Sequence, residues 1–155
     1  MTMKLDSKDK VFIHELKDLY SAEKQLIEAL PKVIDSVDGE AKKAFSAHLE
    51  QTKTHAKRIE QIMVGMEYEP SGVKCVGMEG LIEEGKEMMQ EDELPQKLLI
   101  DALVTGGQKI EKYEITVYES AIKVARELGH NDAAATLQQS LSEEEAALKI
   151  LQEIG

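Results

Sequence analysis

The chain has 155 residues, 42% of them hydrophobic, with 19 basic against 30 acidic side chains and a formal net charge of −11. That length fits one core-bearing domain over residues 1–155 and is short for two, while the acidic balance disfavours binding to nucleic acid or to an anionic membrane. The stretch MTMKLDSKDK has no apolar signal core and no apolar run is long enough to span a bilayer, so a cytoplasmic protein with no membrane partner is expected.

Helix-forming residues dominate, and prolines occur only at Pro31, Pro70 and Pro95. Helical spacing of Phe12, Leu16, Leu19, Tyr20, Leu26, Ile27, Leu30 and Ile34 predicts a first helix over about residues 7–36, ending near Asp38-Gly39, with Pro31 bending its last turn. A second helix is expected over about 40–66, with Ala41, Phe45, Leu49, Ala56, Ile59, Met63 and Met66 on one face, and YEPSG stops it. Residues 68–95 are too many for a tight turn. They contain MEGLIEEGKEMM, read as a short amphipathic helix, and Cys75, the only cysteine, read as an ordinary thiol in a chain that cannot form an internal disulfide. A third helix follows Pro95 and runs to about 128 with Leu99, Leu103, Ile110, Val117, Ala121 and Leu128 aligned, closed by Gly129. The fourth begins with Asn131 or Asp132 as N-cap and carries Leu137, Leu141, Leu148 and Leu151.

Two helical hairpins joined by one long crossover describe an all-α, ferritin-like four-helix bundle with a short extra helix in the crossover. An up-and-down bundle with a decorated loop, or two hairpins that complete their core only in a dimer, are the alternatives.

Few ionisable side chains fall inside the apolar stripes when about 100° is allotted to each residue. Glu23 lies in the first stripe, with Glu15 and Glu28 to its sides; Glu114 continues the line Leu103, Ile110, Val117, Ala121, and Glu111 lies on its flank. Of the run EEE at 143–145, only Glu144 continues the fourth stripe, so Glu143 and Glu145 are expected outside or at the boundary. The second helix turns His48, Thr52 and His55 inward, whereas Glu50 projects to solvent. Glu23 precedes the turn near Gly39 by about the distance that His55 follows it, and Glu114 and Glu144 stand likewise about Gly129, so these groups should meet at one height. One polar layer is expected from Glu23, His55, Glu111, Glu114 and Glu144, with Tyr20, Tyr118 and Thr52 close by, while His48 reads as a hydrogen-bonded core histidine.

Burying four bare carboxylates would cost several kcal/mol each, and no Lys or Arg occupies the centre of a stripe, since Arg58 and Arg126 lie off the inward faces. Two divalent cations would balance the four charges. Oxygen ligands with an imidazole suit iron, two ions, or manganese.

The segments ELKDLYSAEKQLIEALPK, HLEQTKTHAKRIEQI, KCVGMEGLIEEG, QKIEKYEITVYESA and LSEEE carry a resemblance, extending over nearly the whole chain, to the YciE/YciF-type family of ferritin-like, rubrerythrin-related bacterial stress proteins. The resemblance implies a ferritin-like bundle, commonly dimeric, with a dinuclear non-haem centre. Mapped onto rubrerythrin-like sites, Glu23 matches the first-helix Glu, Glu111 and Glu114 a Glu-x-x-Glu pair, and Glu144 the fourth-helix Glu. Thr52-x-x-His55 stands where Glu-x-x-His is expected, and Leu148 stands one turn beyond Glu144. The implied function is iron or peroxide handling under stress, with oxygen as a further oxidant and ferroxidase, peroxidase or catalase-like outcomes all open; the rival is a metal-free helical protein acting through partner binding. Apolar residues at the stripe edges, Val11, Ile13, Val33, Ile115, Ile122, Ile150 and Ile154, predict a homodimer and no storage cage.

Overall fold

A computed structural model describes residues 3–154 and contains five helices, with no strand among the described residues. Helix α1 (Lys8–Ser36) starts where the Ser7 hydroxyl accepts the Lys10 N–H at 3.3 Å and Asp9 complements the positive helix end. Its buried face, Phe12, Ile13, Leu16, Leu19, Leu26 and Leu30, follows the helical period, and the helix continues through Pro31 to Ser36. Val37 and Asp38 alone connect it to α2 (Gly39–Gly65), a reversal that uses Gly39 at φ +60, where a side chain would be strained. The chain then crosses through α3 (Val76–Met89) to α4 (Gln96–Glu127) and turns into α5 (Asn131–Glu153).

The last turn is built differently from expectation. Gly129 adopts φ +80 and the His130 N–H reaches the Ala125 carbonyl at 2.8 Å, so His130 is the residue flanking α5, without a side-chain cap, and Asn131 and Asp132 are already helical.

Contacts across the bundle set the helix directions. Lys8 meets Glu127 at 2.7 Å and the Gln96 amide donates to the Ser36 carbonyl at 3.0 Å, so α4 runs antiparallel to α1. Helix α2 therefore ends at the opposite end of the bundle from the start of α4, and the connection must travel its full length. Helix α3 does so, lying on α1 and α4. This is the ferritin-like crossover, and it excludes the up-and-down alternative.

Cys75 anchors the start of α3. Its N–H donates to Ser21 Oγ at 2.9 Å, its carbonyl accepts from Gln25 at 3.0 Å, and its Sγ, which accepts the Met78 N–H, lies 3.2 Å from the Tyr113 hydroxyl. The side chain is a buried cap, more than the ordinary thiol expected, and burial pushes its pKa up. Beyond this anchor α3 buries only Met78, and a cavity of about 730 Å³ opens between α1, α3 and α4, fronted by Gly80, Gly85, Gly106 and Gly107. No described helix is long and apolar enough to cross a membrane.

The core forms two apolar clusters. Phe12, Leu16, Ile59, Met63, Ala125 and Leu137 belong to one, and Leu26, Leu30, Phe45, Met78, Leu103 and Leu151 to the other. Along each long helix the buried carboxylates and histidines lie where the two clusters meet.

Candidate metal centre

Every long helix contributes to that polar layer from the middle of its buried face. Glu23 stands between Leu19 and Leu26 on α1, and His55 precedes Ile59 on α2. Glu111 and Glu114, one turn apart, lie between Gly107 and Tyr118 on α4, and Glu144 follows Leu141 on α5. All five are at most 1% exposed. The structure thus brings together the five residues expected from the sequence.

It adds one they did not include. His48 stands two helical turns before His55 on the same face, 6% exposed, and its Nε2 lies 2.7 Å from Glu111 Oε1. Two donor groups result: Glu23, His55 and Glu144 in one, and His48, Glu111, Glu114 and Glu144 in the other, with the ligand atoms of each group within 4.8 Å of one another. Glu144 belongs to both. The residue expected to be an ordinary core histidine is therefore a candidate ligand, and its spacing of two turns from His55 was the available signal.

The chemistry of the layer fits cations. Both carboxylate oxygens of Glu23, Glu114 and Glu144, Oε2 of Glu111, both His48 ring nitrogens and His55 Nδ1 find no hydrogen-bond partner among the described residues. His55 Nδ1 lies 2.8 Å from Glu144 Oε1 and 3.6 Å from Glu23 Oε2, and neither contact has hydrogen-bond alignment. Their ion-pair partners among the described residues are only the two histidines, and Glu114 has none. Leaving so many buried acceptors without donors is costly. Without a cation, burial pushes the Glu23 and Glu111 carboxyls up to about 7 and that of Glu144 up to about 8. For His55 burial opposes the charge, but Glu144 and Glu23 outweigh it and raise its pKa to about 10.

The surroundings of the layer depart from expectation. Tyr118, fully buried, packs edge-on to His55 with ring centroids 6.1 Å apart, and its hydroxyl is unpartnered. Tyr20 instead donates to Glu60 at 2.5 Å and stands outside the layer. The Thr52 hydroxyl donates to the His48 carbonyl at 2.7 Å and is tied up within α2. Glu50 is exposed beside Lys53, as expected. Glu143 lies at the boundary, as expected, but it reaches back to His55 Nε2 at 2.9 Å and is gripped by Arg58.

Comparison with known proteins agrees with this architecture. Residues 7–155 match the family described as a domain of unknown function, DUF892. Protein YciF of Escherichia coli (strain K12) is 40% identical over 146 residues, spanning 93% of this chain and 87% of that protein. Among solved structures, YcfI of Rhodopseudomonas palustris aligns with a TM-score of 0.94 at 33% identity, covering 100% of this chain and 99% of that one. The E. coli stress protein YciF gives 0.90 at 38%, covering 97% and 95%. A Xanthomonas campestris protein at 17% identity and TM-score 0.73, over 95% and 90%, shares the fold. A ferritin-like bundle with a crossover helix, an acid and histidine layer at its middle and YciF among its relatives together place the chain in the DUF892 family of YciF-like, ferritin-related proteins.

Proposed function

We propose that the chain is a stress-response metalloprotein whose buried layer holds two divalent cations, iron or manganese, and acts on peroxide or oxygen. The observation that carries the reading is the convergence of four carboxylates and two imidazoles, mostly without hydrogen-bond partners, at one level of the bundle. Four carboxylates carry four negative charges, which two divalent cations neutralise, and an oxygen-rich set with imidazole suits iron and manganese. Glu23 and His55 would serve one ion, His48, Glu111 and Glu114 the other, and Glu144 both. Bound there, such ions supply electron transfer and Lewis acidity toward a peroxide or dioxygen.

The protein's own groups shape what reaches the layer. Leu26 and Phe45 on one side and Leu19 and Ile59 on the other restrict water, and the Tyr118 hydroxyl offers a hydrogen bond beside His55. His48 is the most exposed of the six donors and marks the side nearest solvent. The name of the E. coli relative, a stress protein, supports the physiological setting, and a reducing cytoplasm suits the free thiol of Cys75.

Metal analysis of protein from iron- or manganese-supplemented cells, with Fe(II) oxidation and peroxide consumption assays, tests this. About two ions per chain are expected. Absence of stoichiometric metal would overturn the reading and leave a metal-free helical protein that acts through partners.

We also propose a homodimer, on narrower grounds than the sequence offered. Ile13 and Ile122 are buried within the chain at 1% and 3% exposure, so they cannot serve a partner, whereas Ile150 is 51% exposed and Val33, Ile115 and Ile154 remain partly so. Light scattering at micromolar concentration should give twice the chain mass; a monomer or a cage-sized particle would contradict it.

A further inference from the structure

The two histidines of the layer are held differently. His48 turns Nε2 to Glu111 Oε1 at 2.7 Å without hydrogen-bond alignment, and its Nδ1 has no partner among the described residues. His55 presents Nδ1 to Glu144 and Glu23, while its Nε2 meets Glu143 Oε1 at 2.9 Å. Glu143 is itself fixed: Arg58 grips it with both arms of its guanidinium, Nη1 to Oε1 at 3.0 Å and Nη2 to Oε2 at 3.1 Å, and Nη1 also donates to the buried Ser140 hydroxyl at 3.1 Å. A forked guanidinium–carboxylate pair is planar and directional.

We infer that Glu143, braced by Arg58 and Ser140, is a positioning residue that keeps the proton of His55 on Nε2 and turns Nδ1 toward the centre. A neutral imidazole binds a cation through whichever nitrogen lacks the proton, and the partner of the other nitrogen decides which that is. Glu143, an acceptor only, selects the Nε2–H form. Glu144, adjacent in sequence, points the other way and takes the opposite side of the ring, so consecutive residues of α5 hold one imidazole from both nitrogens. The inference rests on the proposed dimetal centre and extends it, because it makes the two ion sites unequal. Only the site containing His55 depends on Glu143.

The test is calorimetric titration of chelator-stripped protein with Mn(II), beside long-range ¹H–¹⁵N imidazole spectra of Zn(II)-loaded protein. Wild type should show two binding events and a His55 ligated through Nδ1 with the proton on Nε2. Glu143→Ala should weaken one event about 10- to 100-fold, leave the other within about twofold, and lose the single His55 proton form. Glu143→Gln keeps a carbonyl acceptor and should recover part of the loss. Glu145→Ala removes the same charge from an exposed position on α5 and should leave both events and the His55 spectrum unchanged. If Glu143→Ala matches Glu145→Ala, or weakens both events equally, the inference fails while the centre stands. If wild-type protein takes up no Mn(II), the centre fails and this inference with it.

Discussion

Glu23, Glu111, Glu144 and His55 make the metal-free protein sensitive to pH in one direction. Their folded pKa values, about 7, 7, 8 and 10, all lie above the ordinary values of 4.5 for Glu and 6.5 for His. A group whose pKa is raised by folding stabilises the fold while it is protonated in both states and loses that contribution as pH rises through the folded value. Chelator-treated protein should therefore melt at progressively lower temperature between about pH 5 and pH 9. Glu143, lowered by Arg58, acts oppositely but only at more acidic pH, where falling pH protonates it. Cations should reverse the trend, since ligation displaces protons and strengthens as pH rises; a metal-loaded melting curve that still falls across this range would argue against ligation by these groups. Glu23→Gln should remove the share of metal-induced stabilisation that comes from the ion held with His55 and Glu144, roughly 2.7 kcal/mol at a cation concentration a hundredfold above Kd, and change the metal-free protein by about 1 kcal/mol or less. Paired thermal melts with and without Mn(II) read both. At this scale the sequence was most informative for side chains whose direction is set by their own helix: Glu23, His55, Glu111, Glu114 and Glu144 follow from the helical period. The role of His48 was missed because one inward histidine resembles any core histidine until Glu111 is placed across from it. Glu143 was read as a boundary residue, since its tie to Arg58 is a matter of two helices. Tyr20 was drawn inward by its stripe, yet Glu60 on α2 holds it outside.

Helix α3 is the weakest-held element, 14 residues with one buried side chain, suspended over the cavity. Its glycines and those of α4 divide by what surrounds them. A Cβ at Gly80 or Gly106 would meet nothing within 4 Å, whereas at Gly107 it would come within 3.0 Å of Leu151 and Phe45. Gly80→Ala and Gly106→Ala should each stabilise the fold by roughly 0.5–1 kcal/mol through reduced freedom of the unfolded chain. Gly107→Ala should instead cost about 1 kcal/mol or more by overpacking; denaturant melts of the three variants separate the cases. The ends of elements were legible where a side chain marks them. Ser7 announces α1, and Pro95 precedes α4. The start of α5 was not, because a left-handed Gly129 lets His130 return to α4, and that bond leaves Asn131 inside the helix. Helix α3 begins two residues before the expected Met78 because Cys75, an uncommon N-cap, supplies its first acceptor.

At the scale of the whole molecule, topology was readable from connection lengths: two short reversals and one long crossover leave little choice in a four-helix bundle. The directions of α1 against α4 needed the contacts themselves, and so did the separation of the core into two clusters by the polar layer. Each donor group takes ligands from both hairpins, Glu23 and His55 from α1–α2 with Glu144 from α5, and His48 from α2 with Glu111, Glu114 and Glu144 from α4–α5. Neither hairpin can assemble a site alone. A bound ion therefore acts as a bolt between two locally folded halves, and its influence belongs to the kinetics of their separation. Hairpins closed by short turns form early, and the docking that completes the layer comes late. Each ion should slow unfolding by about a hundredfold at a hundred times its Kd and leave the refolding rate nearly unchanged. Stopped-flow chevrons with and without Mn(II) would show one limb displaced. Equal acceleration of folding would mean instead that the ion gathers the helices before they pack.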